Sequence, residues 1–211
     1  GYILSGIDYE TGPAGTQPGL RYYDEADRDR TRGAVILTAN PIDTVSVFAQ
    51  FATTRDTFLG DASIPAGREQ FGLLSQDVDA IVGGLDFTPN EMVHLGVSVG
   101  RDEFAALQKS RNANPPPDPS WVDPARNWTL DNNEVVKTYM AYLDLLGLAN
   151  AKADVRVSYE FNDSNNAFTY GGPRIPVLQA AGTFVALPNV VNEWNRFTAD
   201  VKYYFTPKVG V

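Results

Sequence analysis

Few residues in this chain could start chemistry of their own. Of 211 residues, one is histidine, His94, and none is cysteine. A lone histidine needs partners at supporting positions to build a Ser-His-Asp relay, and the spacing supplies none. The missing cysteines remove thiolate nucleophiles, Cys-ligated metals and covalent c-type haem attachment, and one histidine cannot make a multi-His metal site. His94 therefore reads as a polar-face histidine near a strand turn. The densest carboxylate run is "DEADRDR" at 24–30, with Asp24, Glu25, Asp27 and Asp29. A Ca²⁺ loop of the EF-hand type would add a glycine and a downstream glutamate, which this run lacks, so a solvated loop accounts for it. "NWT" at 127–129 fits a glycosylation triplet. Gly83-Gly84 and Gly171-Gly172 lack phosphate-loop context, and Pro115–Pro117 reads as a loop stiffener. Nothing here assembles an enzyme.

The stronger candidates are charges set in the middle of strand patterns: Arg156, Glu160, Arg196, Asp200 and Lys202, together with His94. Charges of both signs along one face suit a wet or protein-contacting lumen. They could set the field of a pore or grip a protein threaded through it.

Strands must position them. In Met92–Arg101, Val93, Leu95, Val97 and Val99 alternate with His94, Gly96, Ser98 and Gly100. Asp154–Phe161 sets Val155, Val157, Tyr159 and Phe161 against Arg156, Ser158 and Glu160. Near the end, Phe197, Ala199, Val201, Tyr203 and Phe205 oppose Arg196, Thr198, Asp200, Lys202 and Tyr204. In Thr44–Phe51, Val45, Val47, Ala49 and Phe51 oppose Ser46, Phe48 and Gln50. Period-two alternation of this kind predicts strands with one apolar and one polar face. Weaker patterns predict strands at 2–9, 31–39, 76–87 and 134–145. About eight strands and the start of a ninth are expected, each near the 9–11 residues a tilted membrane strand needs.

The connections sort by length. Those at 39–43, 88–91, 147–152 and 206–208 are short. Those at 10–30, 54–75, 102–133 and 162–192 are long and polar, and the two kinds alternate along the chain. Tight reversals make neighbouring strands antiparallel. Outer-membrane barrels carry short periplasmic turns and long extracellular loops. The expected fold class is therefore all-β: an antiparallel up-and-down transmembrane β-barrel, with residues 1–211 as a single barrel domain. Because the last strand pattern is cut short at Val211, that domain is expected to be an incomplete segment of a larger barrel. Phe87, Phe161, Trp194, Tyr203 and Phe205 fit interfacial aromatic girdles. A soluble β-sandwich or barrel would show the same alternation with the apolar face inward. No apolar run approaches the roughly 20 residues of a membrane helix. The net charge of −9 argues against nucleic acid as a partner.

"PPDPSWVDPARNWTLDNNEVVKTYMAYLDLLGLANAKADVRVSYEFNDSN" resembles outer-membrane β-barrels of the MtrB/PioB type. Those proteins often show a Pro/Asp-rich loop and then an Asp-Pro-x-Arg-Asp-Trp-Thr-like stretch. Asp123, Pro124, Arg126, Asn127, Trp128 and Thr129 match it, with asparagine where an acid is usual. The closing "NEWNRFTADVKYYFTPKVGV" also looks like that family's strand, Pro turn, Gly-rich strand unit. The resemblance rests mainly on residues 115–211, and the first half matches in style.

It implies the outer membrane of a Gram-negative-type bacterium, a lipid-bilayer setting and a large barrel that sheathes a periplasmic multihaem c-type cytochrome for electron transfer across the membrane. No cofactor is implied in this chain, since the haem belongs to the partner. The family's usual N-terminal region, which often carries a Cys pair, is absent, and the family offers no catalytic residues to carry over. A porin-like channel for small solutes and a soluble β-rich binding protein are the competing readings.

Overall fold

Alternation of β-branched and aromatic residues with polar ones yields seven long strands in the computed structural model, which describes residues 28–58, 70–112, 118–172, 187–206 and 209–210. They are β1 (Arg28–Ile42), β2 (Val45–Phe58), β3 (Gly72–Asn90), β4 (Val93–Arg111), β5 (Asn127–Gly147), β6 (Ala153–Gly171) and β7 (Val190–Thr206). A two-residue β8 (Val209–Gly210) follows. The strands form one sheet in chain order, and every pairing is antiparallel. This is the up-and-down topology expected from the tight turns. The expected strand at 2–9, residues 24–27 of the acidic run and Pro115–Pro117 lie outside the described residues.

One rim carries tight connections, at 43–44, 91–92 and 148–152. Backbone bonds lace these turns to their neighbours: Thr88 N–H donates to Thr44 O, Leu146 N–H to Met92 O and Tyr204 N–H to Lys152 O, each 2.8 Å. The other rim carries the longer connections. They are shorter than expected, because strand structure runs on through 54–58, 72–75, 102–111, 127–133 and 162–171. The alternation there fades because both faces of the wall turn polar, while the hydrogen-bond ladder continues. Beyond Tyr139, β5 extends through Asn127, about 12 residues and roughly 40 Å at strand rise.

Two proline turns fold part of the 112–126 connection. Asp118 accepts from Ser120 N–H at 2.8 Å and opens the 3-10 turn Pro119–Val122. Asp123 accepts from Ala125 N–H at 3.0 Å and opens Pro124–Arg126. Proline suits the first helical position, where its missing N–H costs nothing. Asn112 N–H then donates to Arg126 O at 3.0 Å and closes the loop.

Among the described residues the sheet has no ordinary core. Phe58 and Phe71 are the buried hydrophobic side chains among the described residues, whereas Asp56, Asn162 and Ser164 are buried polar ones. Val35, Leu37, Val99 and Val201 are all more than half exposed. A soluble barrel would reverse this order.

Candidate functional site

Register sorts the side chains into two faces. On one face, Val45, Phe87, Leu95, Leu143, Val157 and Ala199 form a cross-strand row. The next row holds Ala39, Val47, Leu85, Val97, Ala141, Tyr159 and Phe197. The row after it holds Leu37, Ala49, Gly83, Val99, Tyr139, Phe161 and Asn195. Aromatic pairs flank this apolar band. Tyr139 and Phe161 stack at 6.0 Å between ring centroids on the long-connection side. Tyr203 and Phe205 meet edge to face at 5.2 Å on the tight-turn side. Phe87 also lies in the band. Trp194 does not: it pairs with Asn162 on the opposite face, where the Arg196 guanidinium sits 5.0 Å from its ring. Its place in a girdle is corrected by the parity it shares with Arg196.

The opposite face gathers all six polar candidates. His94, Asp144, Arg156 and Asp200 stand in one cross-strand row, one residue from each of β4 to β7. Arg156 Nε lies 3.2 Å from Asp144 Oδ1, and its guanidinium lies 5.1 Å from the Tyr142 ring centroid. Tyr142 Oη donates to Asp86 at 2.6 Å, which ties β5 to β3 across β4. Glu160 pairs with Arg196, and Asp154 pairs with Lys202. Glu160 also accepts from Asn162 Nδ2 at 3.0 Å, and Asn162 Oδ1 accepts from Thr138 Oγ1 at 2.6 Å. A concavity of about 400 Å³ between Asp144, Asp154, Arg156, Asp200 and Lys202 opens from this face. His94 does not line this concavity and stands beside Asp144 by register. Sequence reading missed Asp86, Tyr142 and Asp144. Tyr142 and Asp144 fall on the polar parity of a weak strand pattern, and the contact with Asp86 needs the sheet order.

Two glycines let this face close up. A Cβ on Gly96 would strike the Tyr142 ring and sit 2.5 Å from Asp86 Oδ1. A Cβ on Gly84 would come within 2.5 Å of the Phe48 ring and 2.8 Å of Val97 O. The Gly83-Gly84 pair thus marks a close approach inside a continuous strand.

The family described as "Putative outer membrane beta-barrel porin, MtrB/PioB" matches residues 5–211. The chain belongs to the MtrB/PioB family. The match extends well beyond the 115–211 stretch that carries the quoted motifs. Its Asp123, Pro124 and Arg126 shape the second proline turn, and Asn127 accepts from Arg111 Nε at 2.7 Å. Comparison with curated proteins gave no significant match. The chain is also similar in fold to a chain of a solved structure titled "Structure of the RagAB peptide importer in the 'closed-closed' state". That similarity has a TM-score of 0.50 at 13% identity, over 86% of this chain and 26% of that one. This MtrB/PioB chain therefore spans about a quarter of that structure's chain.

For this MtrB/PioB protein, outer-membrane localisation explains the exposed apolar band, which meets lipid hydrocarbon. The spanning portions of the strands are those that carry the band. A soluble binding protein is ruled out by the family and by the exposure order together.

Proposed function

We propose that the polar face is the inner wall of a barrel that sheathes a multihaem c-type cytochrome, with the haem on that partner and none bound by this chain. The wall acts as insulation and as a docking surface, without catalysis of its own. The observation that carries this reading is the row of His94, Asp144, Arg156 and Asp200 across four strands, with charges of both signs on the last three. Alternating signs on a rigid sheet suit a protein surface of mixed charge, because each partner charge finds a fixed opposite neighbour. A channel selective for ions would instead be lined by a ring of one sign.

The same reading makes these strands one part of a larger closed barrel. Among the described residues β1 pairs with β2 alone, which leaves its outer edge open. In hydrocarbon an open edge leaves backbone groups unsatisfied, and closure removes it.

Affinity purification from native membranes tests the sheath. Haem absorbance that copurifies with the wild-type protein, and falls when Arg156 and Arg196 are both changed to glutamate, is the expected result. The family's description as a porin favours one second reading, a channel for small solutes. Preparations without haem that render vesicles permeable to small sugars would replace the sheath with that channel.

A further inference from the structure

On β4 and β5 the apolar face changes character within one row. Val99 and Tyr139 face each other in the band, and the next pair on the same face is Arg101 opposite Lys137. Like charges placed directly opposite on one sheet face repel. Glu103 lies 2.9 Å from Arg101, and Asp163 lies 3.7 Å from Lys137. Both cations remain about half exposed, at 51% and 50% of the side chain. Exposed pairs of this kind contribute little. The row sits just beyond the Tyr139–Phe161 stack on the side of the long connections, and it continues through Asp163 and Glu193 on β6 and β7 and through Ile81, Phe51 and Val35 on β3, β2 and β1.

We propose that Arg101 and Lys137 form a two-cation site for the phosphate of an outer-leaflet lipid headgroup. An anion between them removes the repulsion that the register builds in, and Arg101 can offer two parallel N–H donors to phosphate oxygens. The site continues the lipid-facing band upward, so a phospholipid or phosphorylated glycolipid that packs its chains on Val97, Val99 and Tyr139 presents its phosphate at this height.

The test uses the protein reconstituted in phosphatidylcholine vesicles, with and without diphosphorylated lipid A, in buffer containing a chelator. The readout is the urea midpoint of unfolding. Lipid A is expected to raise the wild-type midpoint, and R101A/K137A is expected to lose more than half of that rise. R101K/K137R and the polar-face control R32A are expected to keep it. An undiminished rise in R101A/K137A overturns the proposal. So does an equal rise produced by free inorganic phosphate on plain phosphatidylcholine, which would assign the anion to solution. If R101A/K137A fails to insert, the single variants R101Q and K137Q carry the test: each is expected to lose part of the rise, and an unchanged rise in both overturns it.

Discussion

Val97 and Ser98 are consecutive residues of β4 that face opposite sides of the wall. Val97 is 55% exposed, while Ser98 is partly covered by the sheet's polar face. In water, an exposed valine tolerates a charge. In lipid it does not, since arginine on the lipid face near mid-depth costs about 2–4 kcal/mol. Val97→Arg is therefore expected to lower the unfolding free energy in vesicles by that amount, and Ser98→Arg by less than about 1 kcal/mol. Equal losses in a vesicle unfolding titration would remove the assignment of faces.

Gly96 lies beneath the Tyr142 ring, where a Cβ has no room. Gly96→Ala must displace Tyr142 or Asp86, and with them the 2.6 Å hydrogen bond that spans β4. Overpacking of this kind costs roughly 1–3 kcal/mol. Tyr142→Phe keeps the ring and removes only the hydroxyl. Gly96→Ala is thus expected to destabilise more than Tyr142→Phe in the same titration. If the two losses match, the ring's fit against the glycine contributes nothing.

The tight turn after β5 holds a different kind of strain. Ala149, Asn150 and Ala151 all have positive φ, at 52°, 61° and 63°. Left-handed backbone costs an L-residue roughly 1–2 kcal/mol, and glycine escapes most of it. Ala149→Gly and Ala151→Gly are each expected to raise stability, by up to about 1 kcal/mol after glycine's larger entropy loss. A lower unfolding midpoint for both would show that the turn is held by contacts and not by backbone preference.

The spanning portions of the strands were legible because lipid enforces alternation. Val93 to Val99 and Val155 to Phe161 announce themselves by period two, and Arg156, Glu160, Arg196, Asp200 and Lys202 fall on the polar parity without exception. Outside lipid that pressure ends. Residues 102–111 and 127–133 read as loop, yet 105–111 and 127–133 pair residue for residue, from Ala105 with Asn133 to Arg111 with Asn127. Trp194 misled because aromatic type and strand-end position suggested a girdle, whereas its parity with Arg196 decides its face. Asp86 could not be joined to Tyr142 from sequence, since their contact spans 56 residues and an intervening strand.

Arg30 and Asp56 make a two-contact ion pair on the long-connection side, outside the spanning portions. Arg30 Nε and Nη2 each lie 2.6 Å from a different Asp56 oxygen, and Arg28 adds a contact at 3.8 Å. The Asp56 side chain is 3% exposed. Hydrogen bonding from Arg30 holds its carboxyl below the ordinary aspartate range, against the opposing effect of burial. Because the folded pKa is depressed, the associated stability is present above the unfolded value, about 3.9, and disappears as pH falls through the folded one. Arg30 itself is shifted upward and stays charged throughout that window. Wild-type protein should therefore lose stability between neutral pH and strong acid more steeply than Asp56→Asn. Asp79, held low mainly by Arg55 but 39% exposed, provides the weaker comparison. The check is the urea midpoint of wild type, Asp56→Asn and Asp79→Asn across that range. Parallel curves for wild type and Asp56→Asn would mean that the pair adds no pH-linked stability. A curve that is flatter for Asp56→Asn than for Asp79→Asn is the expected outcome, because only Asp56 combines two short guanidinium contacts with near-complete removal from water.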